Sequence, residues 1–360
     1  DILDVLEPTS VLGGLVNHPT TTTSKKKKKK RATTRLSPGS HTDTVMCLDW
    51  NKVHRQIIAS GSADHTVKLW DVTRQNGAPP ASTCTHHTDK VQSVKFHPTE
   101  GTLLATGSFD RTVAVVDART AVNGSKSGSG VLRMTLSADC EGLAWDPHNM
   151  HNLTAASEDG VVSTWDVRML AASTSDDNVG ASSSSAKTTK PIWSMVAHET
   201  GVSDISYNPY IPGFLTTCGI DQTLSLWDCQ HASQGIMIEN NKNKPVRCGG
   251  RNMKGGKLYT LSFYPSTPWL VGCAGSGNEL CLWDLREEES VQHRFAERLA
   301  SDVQPNLVDG NDGDTTKEPD FEAVMTAGDD AASKARENMT KNTKKGKDGK
   351  KKKKPHRKGK

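Results

Sequence analysis

The chain has 360 residues, of which 34% are hydrophobic and 5% are aromatic. That content fills one large core or two small ones and leaves much of the chain outside any core, which excludes a fully globular protein. No apolar run approaches the roughly 20 residues of a membrane span, and no signal peptide is recognisable, so no membrane partner is expected.

Charge is segregated along the chain although the formal net charge is only +4. Eight positive charges lie between residues 25 and 35, and residues 341–360 carry twelve against the single Asp348, so the remainder carries −15. An acidic body with two basic arms indicates binding to a polyanion or targeting, because blocks of like charge repel and stay solvated. The residues assigned to this role are Lys25, Lys26, Lys27, Lys28, Lys29, Lys30, Arg31, Lys350, Lys351, Lys352, Lys353, Lys354, Arg357 and Lys358.

In chain order, residues 1–14 are interpreted as the last strand of a preceding unit, and residues 15–40 as a basic, flexible connector. Five strand-rich units follow, each closing on Trp-Asp or a variant of it. The units span 41–84, 85–135, 136–170, 191–230 and 244–290, and their closing pairs are Trp70-Asp71, Val116-Asp117, Trp165-Asp166, Trp227-Asp228 and Trp283-Asp284.

The first unit shows the internal pattern that the others repeat. VMCLDW (45–50), IIASGS (57–62) and TVKLWDV (66–72) read as strands, and a tight turn at residues 63–65 joins the last two. Short β-branched runs separated by such turns predict an all-β fold, and the spacing fits four-stranded blades of about 40 to 45 residues with insertions. Five blades and one strand leave unpaired edges, so we expect about two further blades before residue 1, which makes seven.

The rest of the chain is predicted to lie largely outside the blades. Residues 171–190 form a disordered insertion, residues 291–340 an acidic and mostly disordered segment, and residues 341–360 a lysine-rich tail. One helix is predicted over residues 289–303, packed on the blades. The eight cysteines lack a CxxC pair and lie among apolar neighbours, which indicates buried, reduced thiols.

A polar network is predicted in each blade, because a buried indole N–H needs an acceptor. In the first blade the network comprises His41, Ser60 or Ser62, Asp64 and Trp70, and in the fourth it comprises His198, Thr216 or Thr217, Asp221 and Trp227. The other blades carry parts of the set, which are His87 and Asp110, then Asp159 and Trp165, then Trp283. A cluster that recurs once per blade indicates a structural role rather than a Ser-His-Asp catalytic site.

This pattern resembles the WD-repeat β-propeller. Several stretches are similar to the periodic tryptophan protein 1 family in particular: DILDVLEP followed by SKKKKKK, then HTDTVMCLDWNK, GSADHTVKLWDV, HTDKVQSVKFHP and GSFDRTVAVVDAR. The resemblance runs from about residue 1 to 300, and Val116 departs from the Trp of the repeat. It implies a non-enzymatic, nucleolar protein of large-subunit ribosome assembly and rRNA processing, with a link to ribosomal-gene chromatin.

Two other functions remain open at this stage. WDVR (165–168) and WDLR (283–286) match the tetrapeptide of propellers that act as substrate receptors of cullin-type ubiquitin ligases. An acidic propeller also suits binding of histone tails or chromatin. No enzyme, cofactor, metal or small-molecule substrate is predicted. The stretch GRNMKGGKL (250–258) is the nearest match to a phosphate-binding loop, but Gly256 occupies the position of its Lys and no Ser or Thr follows Lys257.

Overall fold

The computed structural model describes residues 10–18, 33–75, 77–121, 131–174, 190–233 and 244–302. The lysine-rich tail, most of the acidic segment, most of the 171–190 insertion, residues 25–31 and residues 1–9 of the strand expected over 1–14 lie outside the described residues. Among those described, no helix combines the length and the apolar character that crossing a membrane requires.

A two-stranded hairpin precedes the first blade, within the predicted connector. Its strands are β1 (Leu15–His18) and β2 (Thr33–Leu36), paired antiparallel from Leu15 with Leu36 to His18 with Thr33. The backbone N–H of Gly14 donates to Ser40 Oγ at 2.9 Å, and that of Ser37 donates to the Gly14 carbonyl at 2.8 Å. The first bond joins the base of the hairpin to the residue before His41, at the entrance of blade one, and the second closes the hairpin base itself.

Five antiparallel sheets follow, which confirms the predicted five-bladed, all-β propeller of WD repeats. Blade one contains β3 (Val45–Trp50), β4 (Ile57–Ser62), β5 (Val67–Asp71) and β6 (Ser82–Cys84). Blade two contains β7 (Val91–Phe96), β8 (Leu103–Ser108), β9 (Thr112–Asp117) and β10 (Val131–Thr135), with helix α1 (Ala118–Ala121) after β9.

The remaining blades keep the same strand order. Blade three contains β11 (Cys140–Trp145), β12 (Asn152–Ser157), β13 (Val161–Asp166) and β14 (Trp193–Val196), with helix α2 (Val167–Thr174) before β14. Blade four contains β15 (Val202–Tyr207), β16 (Phe214–Gly219), β17 (Thr223–Asp228) and β18 (Val246–Asn252), with helix α3 (Gln230–Ser233) before β18. Blade five contains three strands, β19 (Leu258–Phe263), β20 (Leu270–Gly275) and β21 (Leu280–Asp284).

The first strand of every blade carries a register shift at the same place, after its first residue. The shifts lie at Val45/Cys47, Val91/Ser93, Cys140/Gly142, Val202/Asp204 and Leu258/Thr260. A bulge adds local twist to its strand, so the same irregularity acts at the same position in the first strand of every blade.

The hydrophobic core is divided among the junctions between blades rather than gathered in one centre. Each of the four buried clusters combines the second and third strands of one blade with the first strand of the next. In the first junction, for example, Leu69 packs with Val94 and Phe96. Each blade is therefore stabilised mainly by its neighbours, as in other repeat architectures.

A C-terminal helix covers blades four and five. A 3-10 turn (Leu285–Glu287) leads into α4 (Glu289–Asp302), where the sequence predicts a helix over residues 289–303. Phe295 of α4 stacks on Phe214 of blade four with ring centroids 4.2 Å apart. The apolar face of α4 thus closes the core that blades four and five share.

All eight cysteines are free thiols. Five of them are buried and three are half-buried. Burial raises the pKa of each thiol for which a shift is resolved, for example that of Cys84 to about 11, because the charged thiolate is poorly solvated inside the blades.

Candidate functional site

The polar network of blade one joins four side chains that are distant in the sequence. Trp70 Nε1 donates to Ser60 Oγ at 2.8 Å, and the Ser60 hydroxyl lies 2.7 Å from His41 Nε2. His41 Nδ1 lies 2.9 Å from Asp64 Oδ2. Ser60 Oγ accepts a hydrogen bond from the indole N–H, so we assign the Ser60 hydroxyl as the donor to His41 Nε2. His41 Nδ1–H then donates to Asp64.

The turn between β4 and β5 holds Asp64 in position. The Asp64 carboxylate accepts from the backbone N–H and the hydroxyl of Thr66, at 3.0 and 2.6 Å, and from the backbone N–H of Thr42 at 3.0 Å. Burial alone would raise the pKa of Asp64, but these bonds and the one from His41 outweigh burial and hold the pKa well below its usual range. His65, the next residue, has φ of 67°, in the left-handed region.

Blade four repeats the arrangement. Trp227 Nε1 donates to Thr217 Oγ1 at 3.0 Å, and His198 lies 2.8 Å from Thr217 Oγ1 and 2.9 Å from Asp221 Oδ2. Of the two hydroxyls that the sequence offered in each blade, the indole uses Ser60 and Thr217. Thr216 Oγ1 donates instead to the Ser206 carbonyl at 3.1 Å, along the neighbouring strand.

Blade two replaces the missing tryptophan by a second histidine. His87 lies 2.9 Å from Asp110 Oδ2 and 2.9 Å from Thr106 Oγ1, as in the complete blades. His86 Nε2 also reaches Thr106 Oγ1, at 2.8 Å, where an indole N–H arrives in blades one and four. The sequence interpretation placed His87 in the network but gave His86 no role in it, although Val116 in place of Trp signalled that the hydroxyl needs another partner.

Blades three and five carry reduced versions of the network. Asp159 accepts from the Ser157 hydroxyl at 2.5 Å, and Trp165 is buried, with Ala155 at the position of Ser60. In blade five Cys273 occupies the hydroxyl position, and the buried Nε1 of Trp283 has no hydrogen-bond partner within the described part of the chain. Arg251 lies over the Trp283 ring instead, 5.7 Å from its centroid.

The Ser60, His41 and Asp64 arrangement is built as a structural network rather than a catalytic site. Ser60 is buried and its oxygen already contacts both the indole and the imidazole. A nucleophile needs access to substrate, which this position does not have. Across the described ranges, no group of three or more metal-ligating side chains is positioned to hold a metal ion.

The two Trp-Asp-X-Arg tetrapeptides use their arginines locally. Arg168 donates to the Asp166 carboxylate at 2.7 Å, and Arg286 donates to that of Asp284 at 2.6 Å. Arg119 makes the same contact with Asp117 in blade two, without the Trp. A bidentate pair to the aspartate two residues earlier therefore accounts for these arginines, and the contacts do not favour the ubiquitin-ligase hypothesis.

Asp228 of blade four is paired by the helix instead, since Gln230 occupies the position of those arginines. Arg294 Nε and Arg298 Nη2 of α4 each donate to Asp228 Oδ2 at 2.7 Å, and Arg298 Nη1 donates to Oδ1 at 2.9 Å. The Asp228 side chain is fully buried, and the two guanidinium groups hold its pKa below the usual range against the opposing effect of burial. The sequence interpretation did not find this pair, because no short-range pattern links residue 228 to residue 298.

The predicted polyanion-binding residues lie in segments outside the described residues, and only the residues that flank those segments can be placed in the fold. Residues 19–32, which include Lys25 to Arg31, connect His18 of β1 with Thr33 of β2, and those two residues are paired. The basic segment therefore begins and ends at neighbouring residues of the hairpin that precedes blade one. The lysines of the tail lie beyond the last described residue, Asp302.

Comparison with known proteins agrees with this geometry. The family model "WD domain, G-beta repeat" matches residues 33–71, 78–117 and 189–228. These ranges contain the first three strands of blades one, two and four, the blades in which His41, His87 or His198 joins the network. A WD repeat-containing protein of Schizosaccharomyces pombe is 30% identical over 305 residues, 84% of this chain and 50% of that protein.

Two further relatives are named periodic tryptophan protein 1, the family that the sequence resembles. Periodic tryptophan protein 1 of Saccharomyces cerevisiae is 28% identical over 83% of this chain and 48% of its own length, and the Drosophila melanogaster homolog is 26% identical over 82% and 54%. The chain thus spans about half the length of these relatives. The repeat and the relatives' names together point to a scaffold rather than to an enzyme.

Proposed function

The chain is a WD-repeat β-propeller protein similar to periodic tryptophan protein 1 over 82–83% of its length, and from that premise we propose that it is a non-enzymatic scaffold of nucleolar ribosome biogenesis. It serves large-subunit assembly and pre-rRNA processing, with a link to ribosomal-gene chromatin. Its partners are proteins of the pre-ribosomal particle and rRNA, and its place is the nucleolus.

The observation that carries this proposal is that a hairpin bonded to the entrance of blade one holds both ends of a polylysine segment. Lys25 to Arg31 lie in the segment that the β1–β2 hairpin closes, and the hairpin base is bonded to Ser40, beside the His41 network. A scaffold that offers dense positive charge from one fixed point can bind a nucleic acid backbone while its loops bind proteins.

Lysine chemistry supports contact that does not depend on base sequence. Lysine is a point charge that binds phosphate without the planar geometry of arginine, and no aromatic residue interleaves with either basic tract. Such contacts release counterions and weaken steeply with salt. The same tracts suit recognition by import receptors, which supports the nucleolar assignment.

The test combines two charge variants of the hairpin segment. In one, Lys25 to Lys30 are all replaced by Gln, and in the matched control they are all replaced by Arg, which keeps the charge. In gradient sedimentation we expect the Gln variant to dissociate from large-subunit precursors at a lower salt concentration than the natural chain does. The Arg variant should stay bound at the same salt concentration as the natural chain. A variant that combines the Gln replacement with removal of residues 341–360 tests both tracts. If it still binds large-subunit precursors and accumulates in the nucleolus, the proposal is contradicted.

Affinity purification separates this function from its alternatives. At moderate salt we expect large-subunit precursor proteins and rRNA, and at high salt a smaller protein set without rRNA. Recovery of a cullin adaptor, or of histones without ribosomal precursors, would favour the ubiquitin-ligase or the chromatin hypothesis instead.

A further inference from the structure

A cleft of about 240 Å³ lies at the junction of blades one and two, where β6 of blade one meets α1 of blade two. Its accessible lining is almost entirely apolar. It is lined, among others, by the buried Leu69, Ser82 and Phe96, the half-buried Ile57 and Ala118, and the exposed Arg119. We call this space the β6 cleft.

The outer strand of blade one contributes little volume to this cleft. Ser82 pairs with Leu69, and the equivalent pairs of the next three blades put Leu132, Trp193 and Gly249 in the place of Ser82. Paired residues of antiparallel strands lie on the same face of their sheet, here the face toward the next blade. Blades two and three therefore place a large apolar side chain where blade one has a small hydroxyl group.

Blade four has a glycine at this position, and its junction with blade five takes a ring from the helix instead. Phe295 of α4 stacks on Phe214 with ring centroids 4.2 Å apart. Phe214 is the first residue of β16, as Ile57 is the first residue of β4 and lines the β6 cleft. The α4 ring thus packs at the place that corresponds to the open space beside Ile57.

The residue after the closing aspartate shows the same difference in size. At the other three junctions this residue is buried, and it is Val167, Cys229 or Leu285. At the β6 cleft it is Ala118, which is half-buried. The junction of blades one and two is therefore built like the others but lacks the large side chain that packs at this place in each of them.

The hydroxyl of Ser82 indicates the chemistry of an occupant. Ser82 is 7% exposed, and its Oγ has no hydrogen-bond partner within the described ranges. Buried hydroxyls are normally paired, because burial without a partner is unfavourable. The junction of blades three and four shows the paired form, in which Trp193 Nε1 donates to Ser233 Oγ at 3.3 Å. In the β6 cleft the serine is present and the indole is not.

The volume of the cleft suits one large aromatic side chain. An apolar cavity of about 150 Å³ holds benzene, and clefts for drug-sized ligands start at roughly 300 Å³. The β6 cleft, at about 240 Å³, lies between these sizes and fits a bicyclic ring. An indole carries one N–H donor and no acceptor, which matches a serine oxygen that is free to accept.

We propose that the β6 cleft binds a tryptophan side chain of a partner polypeptide, with the indole packed on Leu69 and Phe96 and its N–H donating to Ser82 Oγ. The occupant comes from another molecule, because all eight tryptophans of the 360 residues lie in the described ranges and none of them lines the cleft. The exposed Arg119, paired with Asp117, gives the apolar cleft a polar rim, as is typical of sites that bind an aromatic anchor. The inference does not depend on the function proposed above.

Binding of N-acetyl-tryptophanamide, followed by NMR, tests the cleft directly. The comparison ligand is the benzothienylalanine analogue, in which sulfur replaces the indole N–H and the shape is kept. We expect the natural protein to bind the tryptophan ligand about two- to tenfold more tightly than the analogue, and Ser82→Ala to bind both ligands equally. Absence of binding, or a preference that survives Ser82→Ala, would overturn the proposal.

Filling the cleft is the second test. Ser82→Leu adds the side chain that blade two has at this position, and the matched control Thr83→Leu adds the same side chain to the opposite, exposed face of β6. We expect Ser82→Leu to abolish binding of N-acetyl-tryptophanamide and Thr83→Leu to leave it unchanged. Thermal unfolding checks that both variants fold, and Ser82→Ala, which adds no volume, decides the question if Ser82→Leu does not fold. Equal binding by the two leucine variants would contradict the assignment of the cleft.

Photo-crosslinking from the rim identifies the partner. The variant is Arg119→p-benzoylphenylalanine, expressed in the protein's own cells, because the Arg119 side chain is 74% exposed at the edge of the cleft. We expect crosslinks to a tryptophan-containing segment of another protein, which Ser82→Leu abolishes and Thr83→Leu preserves. Crosslinks that persist with Ser82→Leu, that reach segments without tryptophan, or that join the chain's own residues around Phe321 would show that a partner's tryptophan does not occupy the cleft.

Discussion

At the scale of single residues, blades one, two and four share one feature, which is a buried hydroxyl of the second strand that contacts two ring N–H or N groups. Blades one and four use an indole and an imidazole on one hydroxyl, and blade two uses two imidazoles on Thr106. Blade three has Ala155 and blade five has Cys273 where those three blades have a hydroxyl, and the indole N–H of Trp283 in blade five is left unpaired among the described residues. The same turn geometry therefore tolerates different donors as long as the blade core stays packed.

This difference between blades predicts unequal effects of the same substitution. Trp70→Phe and Trp283→Phe both remove an indole N–H and a similar volume, but only Trp70 loses a hydrogen bond. We expect Trp70→Phe to lower the free energy of unfolding by about 1 to 2 kcal/mol more than Trp283→Phe. Denaturant titration of both variants measures the difference, and equal losses would mean that the Trp70–Ser60 bond contributes nothing.

The histidines of blade two predict a pH dependence of stability. Burial, with the nearby His87 and Arg133, lowers the pKa of His86 to about 3, and burial lowers that of His87 too. In the unfolded chain an imidazole titrates near pH 6.5. As the pH falls from about 6.5 toward 3, the unfolded chain therefore takes up protons that the folded blade does not, and stability is lost.

Thermal denaturation between pH 7 and 4 tests this. We expect the midpoint of the natural chain to fall across that range, and His86→Gln to show a shallower decline because it removes one of the titrating groups. Gln keeps an N–H donor for Thr106, so the variant should still fold. Identical slopes for the two proteins would contradict a neutral, half-buried His86.

At the scale of elements, the helix α4 acts as a clamp on blades four and five. It contributes Phe295 to their shared core and two arginines to the buried carboxylate of Asp228. In three other blades an arginine two residues after the aspartate makes the equivalent contact at the surface. The arginine contact is thus local in those blades and tertiary in blade four.

Removing one arginine of each kind separates the two situations. Arg298→Ala takes charged hydrogen bonds from a buried carboxylate, and we expect a loss of about 1.5 to 3 kcal/mol of stability. Arg286→Ala breaks an exposed pair, and we expect a loss below about 1 kcal/mol. Thermal unfolding of both variants checks the order, and a larger loss for Arg286→Ala would refute the assignment of α4 as a clamp.

At the scale of the whole molecule, the five blades form a row in which cohesion comes from neighbouring pairs. Within the described part of the chain, the middle blade has two packed junctions, while blade one and blade five each have one. Stability in such an array is close to a sum of nearest-neighbour terms. The middle blade is therefore expected to have a higher local stability than blade one or blade five.

Hydrogen exchange of the isolated 360-residue chain measures this gradient. We expect backbone amides of β12 in blade three to exchange more slowly than those of β4 in blade one, because local opening is easier where a blade has one neighbour. The two strands occupy the same place in their sheets, so they are a matched comparison. Equal protection factors would indicate that the row unfolds as one cooperative unit.

The sequence by itself determined the fold class, the five blades and the resemblance to periodic tryptophan protein 1, because alternation of period two and the Asp-containing turns are local signals. It also placed the helix at 289–303. Only the tertiary structure decided which hydroxyl each indole contacts, that His86 forms a hydrogen bond with Thr106, and that arginines of α4 pair with Asp228. Those choices depend on side chains brought together from 10 to 70 positions apart, and no local pattern records which of several similar donors will reach a buried acceptor.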